Sequence, residues 1–414
     1  MKHSAAEIRW DAPRIPGQSD LGLPMLNCEF QTVYTGQDDI RLGAYSHHPH
    51  LSFFRGVVYL AWSVHYRDED SPGQYVRMIV SRDLGKTWSD PYADSAILFP
   101  KPSASLRNPD IKDQNGVPQP GHRPHDRCGT GNQSENSWKN DNCGHSHLML
   151  CSNGWAEADG RLYAVAELAK VVNKGIARIA REVCADGTLG PVFYLNREIP
   201  ELRAIDPDAA NLDVFNAVGY GGETAEKIVR YLADPFHLPQ WDMLPDGWPL
   251  PDGTSERSVS REFAARSGKG CGEPTYAYRA ADGTLVRLWR DGSGWQNAQL
   301  SEDGGATWTR VEKTSFPDCA SRTNVGNLPD GRVYLIGNPG VDRRQLCLAL
   351  SRDGFRFDDC RCICTDALPA KFTGRAKNYG YQYPHSVLVG DRLIAAFSRN
   401  KEDLCVASVK LADL

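Results

Sequence analysis

Five short segments place groups capable of chemistry immediately before an apolar run. They are Tyr45-Ser46-His47-His48-Pro49, Gly144-His145-Ser146-His147, Gly272-Glu273-Pro274, Arg322-Thr323-Asn324 and Tyr381-Gln382-Tyr383-Pro384-His385. A histidine near neutral pH serves as acid, base or hydrogen-bond donor. Arginine offers planar donors that grip a carboxylate through two bonds. A single histidine at a strand start is most often structural. Five such segments brought to one place would line a pocket with His, Glu, Arg, Asn and Tyr. Two further clusters carry ligating or acidic groups. Asp68-Glu69-Asp70 reads either as a source of a general acid or as a solvated turn running into Ser71-Pro72-Gly73. His122, His125, Cys128, Cys143, His145 and His147 offer zinc ligands, but their spacing matches no closed structural site. No metal or other cofactor is expected.

The elements that must position these groups announce themselves by repetition. Ser81-Arg82-Asp83-Leu84-Gly85-Lys86-Thr87-Trp88 returns as Ser301-Glu302-Asp303-Gly304-Gly305-Ala306-Thr307-Trp308, and both read Ser-x-Asp-x-Gly-x-Thr-Trp. A third copy, Ser351-Arg352-Asp353-Gly354-Phe355-Arg356-Phe357, is one residue short. Within each copy the Asp can bond backbone N–H groups across a turn, Gly supplies a positive φ, and the aromatic ring packs back. The motif staples a hairpin and performs no chemistry. A recurring strand–turn–strand unit that cannot bury its own faces implies a stacked or radial array.

These repeats resemble the Asp boxes of the sialidase (neuraminidase) superfamily. The resemblance implies an all-β, six-bladed β-propeller, one domain over residues 1–414, with a glycan site on its axis. It also implies roles for named residues. Glu273, followed by Arg290, looks like the segment carrying a catalytic Glu and a carboxylate-binding Arg. Arg343, before the third box, looks like another such Arg. Tyr383 falls where the family's nucleophilic Tyr lies, and Glu273 near it could take the phenol proton. Asp68 or Asp70 lies where the family keeps its acid/base Asp. The family opens its first blade with Arg-Ile-Pro, whereas the matching place here reads His47-His48-Pro49. Arg14-Ile15-Pro16 has no blade strand and box at the right distance after it. The expected catalytic set is therefore Tyr383, Glu273, Asp68, Asp70 and His48. The expected substrate contacts are His47, Arg290, Arg343, Arg322, His147 and His385. With one Arg replaced by His, the sugar is an acidic or deoxy sugar not restricted to sialic acid. An exo-acting glycoside hydrolase is the first reading. A rhamnosyl-uronate hydrolase or polysaccharide lyase using histidine, and a glycan-binding propeller without activity, remain open.

Composition narrows the partners. The chain has 414 residues and a net charge of −5, so no basic field draws nucleic acid or an anionic membrane. No apolar run reaches the length of a membrane span. The first ten residues lack the apolar core of a signal peptide, and a cytoplasmic protein with its 12 cysteines mostly reduced and buried is expected. Blades are expected near 45–95, 145–195, 272–313, 320–360 and 381–414. A sixth is sought near 175–215 or at the N-terminus. Phe30–Tyr34 is expected to complete the last blade or cap the rim. Insertions are expected at 99–144 and 200–270, the second holding a short helix over Thr224–Leu232.

Overall fold

The structure, a computed structural model, describes residues 2–12, 20–39, 41–71, 73–100, 148–170, 174–196, 219–237, 273–290, 292–365, 367–374 and 376–414. In chain order the elements are β1 (Arg9–Trp10), β2 (Glu29–Tyr34), β3 (Tyr45–Phe54), β4 (Val57–His65), β5 (Tyr75–Ser81), β6 (Ile97–Phe99), β7 (Leu148–Ala158), β8 (Arg161–Lys170), β9 (Lys174–Val183) and β10 (Phe193–Tyr194). There follow α1 (Gly222–Ala233), β11 (Glu273–Arg279), β12 (Leu285–Arg290), β13 (Trp295–Ser301), β14 (Glu312–Pro317), β15 (Asn324–Asn327), β16 (Val333–Gly337), β17 (Leu346–Ser351), β18 (Arg356–Cys364), β19 (Tyr381–Val389), β20 (Arg392–Arg399) and β21 (Asp403–Lys410). The fold is all-β, with α1 the one α-helix among the described residues. Among the described residues no helix is long and apolar enough to cross a membrane.

Why the strands form is plainest in β4. Its sequence is apolar almost throughout, and every residue but the last is buried. Side chains alternate between the two faces of a strand. Val58, Leu60, Trp62 and Val64 enter one core with Tyr34, Ile394 and Val406, while Val57, Tyr59 and Ala61 enter another with Leu148, Trp155 and Leu168. The sheet is thus covered on both sides by its neighbours, as a two-faced apolar strand requires.

The strands form antiparallel meanders β3–β6, β7–β10, β11–β14, β15–β18 and β19–β21. β2 pairs antiparallel with β21, Glu29 opposite Ser408, so a segment from the N-terminal end covers the outer edge of the last sheet. β1 lies parallel to both β14 and β18 and joins two meanders into one nine-stranded sheet. The expected sixth blade is not found in either place sought for it among the described residues. Residues 174–183 are β9, β2 belongs to the last sheet, and 197–218 lie outside the description. Between β7 and β11 stands α1 instead. Ala225, Ile228 and Leu232 bury one stripe of the helix against Ala156, Tyr163 and Val165. After the helix, Pro235 C=O accepts the Ala277 N–H of β11 at 2.8 Å. The expected 99–144 insertion lies outside the described residues apart from its first two.

The three Asp boxes share one wiring. Ser81 Oγ donates to Asp83 Oδ1 and accepts the Gly85 N–H, both at 2.8 Å, and Thr87 donates to Asp83 through N–H and Oγ1. Ser301, Asp303, Gly305 and Thr307 repeat this bond for bond. The shortened copy keeps the Ser351–Asp353 bond and gives Asp353 the N–H groups of Phe355 and Arg356.

One glycine ties the rim to the sheets. Gly380 has φ of 106°, and a Cβ there would lie 2.1 Å from the Arg343 carbonyl oxygen. Gly380→Ala is expected to cost about 2 kcal/mol or more, since it combines a forbidden φ with a backbone clash. A urea unfolding midpoint unchanged from wild type would contradict this packing.

Candidate active site

The innermost strands deliver their side chains through bulges. Ladder register slips between His47 and His50 in β3 and between Gln382 and His385 in β19. In both, the residue before a proline takes a left-handed backbone: His48 and Tyr383 each have φ of 55°. Left-handed φ is uncommon for bulky residues and disfavoured before proline, so the surrounding sheet enforces it. β7 slips at the matching place, where Gly154 supplies the positive φ. Such a bulge bends the strand and re-aims the side chains beside it.

Tyr383 is buried and ringed by cations. The guanidinium carbons of Arg290, Arg322 and Arg343 lie 5.2, 5.2 and 5.5 Å from its ring centroid. Arg290 Nη1 donates to Tyr383 Oη and lies 3.3 Å from Glu273 Oε2. Arg322 Nε donates to the same carboxylate oxygen at 3.1 Å. Glu273 therefore bridges two guanidinium groups, and it meets Tyr383 at Arg290 Nη1. Arg343 donates to Gln382 Oε1 at 2.5 Å and to the Ala320 carbonyl at 3.0 Å. Burial pulls Arg322 below the ordinary guanidinium range, and Glu273 pulls it back. Asp318 is buried nearby, and burial pushes its carboxyl up to about 7 against the pull of Arg290.

The second group faces Tyr383 from β3. The His47 and Tyr383 ring centroids are 4.2 Å apart, and those of His47 and His48 4.4 Å. Glu69 joins them from the loop after β4. Its Oε1 lies 3.0 Å from His48 Nε2, 3.8 Å from His47 Nε2 and accepts from Tyr45 Oη at 3.2 Å; its Oε2 accepts from Lys401. Burial opposes ionisation of Glu69, but Lys401 and His48 together hold it well below the usual carboxylate range. Burial drives His47 far down, with His48 and Lys401 adding to it, and lowers His48 to about 4 against the pull of Glu69. Both rings are neutral at neutral pH. His47, His48 and Glu69 offer ligand atoms within 4.8 Å of one another, a spacing that suits a metal ion. The Lys401 ammonium already supplies the cation at that carboxylate.

The structure sorts the residues expected from sequence. It gathers Tyr383, Glu273, Arg290, Arg322, Arg343, His47 and His48. From the acidic loop it brings Glu69, not Asp68, to the histidines. The Asp68 carboxylate accepts the Ala376 N–H at 3.0 Å, and Asp70, with φ of 52°, lies near Tyr45 and Cys151, whose phenol and thiol burial pushes up and the Asp70 charge pushes further. His385 sits deeper on the axis. Its Nδ1 accepts the Leu51 N–H at 3.1 Å, so Nε2 carries the proton and donates to Tyr276 Oη at 2.9 Å. Burial, with Arg322, holds His385 down to about 3. Beyond it, toward the strands' far ends, opens a separate cavity of about 590 Å³ between Trp155, Tyr231, Tyr276 and Tyr334. His147 and the histidines and cysteines at 122–145 lie outside the described residues. Lys401, Asp318 and Gln382 were not anticipated. Arg399-Asn400-Lys401-Glu402-Asp403 reads as an ordinary charged turn, and no local signal marks Lys401 as buried.

A family profile described as "BNR repeat-like domain" matches residues 238–395. Among solved structures, a protein titled "Sialidase" superposes with a TM-score of 0.66 at 19% identity, covering 98% of this chain and 35% of that one. This chain thus spans about a third of that protein's length. A protein of unknown function from Dyadobacter fermentans gives 0.48 at 13% identity, over 92% of this chain and 99% of that one. The intramolecular trans-sialidase from Ruminococcus gnavus, in complex with oseltamivir carboxylate, gives 0.43 at 14% identity, over 96% and 99%. No curated protein matches.

The buried histidines set a pH dependence of stability. His48 and His385 titrate below their unfolded value of 6.5. Their stabilising contribution is present above pH 6.5 and is lost as pH falls toward the folded values, because the unfolded chain then binds the extra protons. Glu69 acts in the same direction further into acid. The urea midpoint is expected to fall between pH 7 and pH 4, and less steeply in His385→Asn. Parallel slopes in the two proteins would contradict the assignment.

Proposed function

We propose that this chain, which carries the Asp-box, BNR-repeat fold of the sialidase superfamily, is an exo-acting glycoside hydrolase that releases a terminal acidic or deoxy sugar from a glycan. The observation that carries the reading is the set of guanidinium groups around Tyr383. Three fixed cations in a buried place favour an anion, and a planar carboxylate matches their donors. In the proposed complex the sugar carboxylate lies on Arg290, Arg322 and Arg343, which puts the anomeric carbon of a 2-keto acid beside Tyr383. The bond from Arg290 holds that oxygen in place for nucleophilic attack. Glu273 holds Arg290 and Arg322 in place. In this reading His47-His48-Pro49 takes the place of the superfamily's Arg-Ile-Pro, and Arg322 makes up the number of guanidinium groups. Closure of the ring as a six-bladed propeller belongs to the same reading.

The test is the mass of the products from a panel of acidic glycosides: sialosides, rhamnosyl-uronates and uronate polymers. A fragment pair heavier than the substrate by one water supports hydrolysis, and the released sugar names the substrate. An unsaturated fragment without added water replaces the reading by elimination, and tight binding without product replaces it by a binding protein. Tyr383→Phe is expected to lower kcat by a factor on the order of a thousand or more. Arg343→Ala is expected to raise KM for a carboxylate-bearing substrate by roughly a hundredfold. A fully active Tyr383→Phe variant would end the nucleophile assignment.

A further inference from the structure

Adjacent residues of a strand point to opposite faces, yet the rings of His47 and His48 lie together, their centroids 4.4 Å apart. The bulge in β3 allows this, for the ladder slips between His47 and His50 and His48 takes φ of 55°. Both rings then present Nε2 to one carboxylate oxygen. Glu69 Oε1 lies 3.0 Å from His48 Nε2 and 3.8 Å from His47 Nε2. The three ligand atoms fall within 4.8 Å of one another. Atoms bound to one ion at about 2.1 Å with tetrahedral angles stand roughly 3.4 Å apart, and the two separations bracket that value.

Two further observations point to an occupant. His47 Nε2 is buried and has no hydrogen-bond partner among the described residues. The carboxylate oxygen nearest it is too far for a hydrogen bond, at 3.8 Å, and leaves room for an atom bonded to both. The opposite ring nitrogens are held by hydroxyl groups. Ser398 Oγ lies 2.6 Å from His47 Nδ1, and Ser63 Oγ lies 3.2 Å from His48 Nδ1. Ser63 Oγ also accepts the Ser152 N–H at 2.9 Å. A partner at the second nitrogen is what orients a histidine that ligates a metal through the first. Lys401 bonds Glu69 through the other oxygen, Oε2, and leaves Oε1 to the rings. With its charge answered by the ammonium, Glu69 adds little attraction for calcium or magnesium, which depend on anionic oxygens. Ions that bond to imidazole nitrogen are favoured instead.

We propose that His47 Nε2, His48 Nε2 and Glu69 Oε1 form a binding site for one divalent transition-metal ion of the zinc type. Three protein ligands leave the fourth position of such an ion to water. The ion would tie β3 to the loop after β4 and hold the left-handed backbone at His48. It would thereby fix the wall that faces Tyr383, whose ring centroid lies 4.2 Å from that of His47. The inference is independent of the hydrolase reading, since the ion binds, or fails to bind, without any substrate.

Two measurements on the full chain decide it. The protein is stripped with a chelator and titrated with zinc chloride by calorimetry, and crystals soaked in the same salt are measured at the zinc absorption edge. An anomalous peak between His47, His48 and Glu69 is expected, with binding in the micromolar range or tighter. Ser398→Ala is expected to weaken that binding by about tenfold, and Glu69→Gln by more. Magnesium chloride at the same concentration should give no heat. Zinc should raise the urea midpoint of the wild type and leave that of Glu69→Gln in place. If Glu69→Gln does not fold, the peak in wild-type crystals still decides. No peak at this place, a peak only at other histidines or cysteines of the chain, or a peak undiminished in Glu69→Gln overturns the site. Turnover of acidic glycosides bears on the hydrolase reading alone.

Discussion

No sheet of this protein can be left with a bare face. β4 shows the constraint most clearly, with alternate residues entering two different cores. Each fully buried Val, Leu or Ile contributes roughly 1.5–3 kcal/mol, and that gain exists only while a neighbouring sheet covers the face. The meanders therefore pack face to face, and the outer strand of the last sheet is supplied from the N-terminal end. Where no described sheet stands beside β7 and β11, α1 lends its apolar stripe. The Asp boxes serve the same end, for Gly85 packs against the Ile394 side chain of β20 and Gly354 against the Ala280 backbone just after β11, where a Cβ would lie 2.8 Å from the neighbour.

Stacking brings the innermost strands together at their starting ends, and the candidate site follows from that. Bulges at His48 and Tyr383 re-aim two large side chains, at a conformational cost that only a well-packed scaffold sustains. The clustered charges then have to be balanced in a place with little water. Glu273 answers Arg290 and Arg322, and Glu69 answers Lys401. Arg343 spends its donors on neutral oxygens of Gln382 and Ala320. Positive charge thus lies around Tyr383, and neutral histidines with one anion lie on its other side.

Much of this was legible in the sequence where the governing interactions are local. The Asp boxes could be read because their bonds close within seven residues. The helix near Thr224–Leu232 could be read because its apolar spacing is its own. The polar segments before the inner strands pointed to the right strand starts, and His48-Pro49-His50 and Tyr383-Pro384-His385 even share a pattern that turns out to mark equivalent bulges. The acidic loop marks the limit. Three consecutive acids have the same composition signal, and only the path of the loop, with a left-handed turn at Asp70, selects Glu69 for the histidines.

The sequence by itself determined the repeat, the all-β architecture and the types of group that meet on the axis. These depend on alternation, turn chemistry and residue identity, which are properties of short stretches. Tertiary structure alone decided which groups touch and in what state. Lys401 is 332 residues from Glu69 and Tyr383 is 93 from Arg290, and a contact across such a separation leaves no trace in either local pattern. The neutrality of His47 and His48 has the same origin, because it arises from burial between sheets that the chain brings together only on folding.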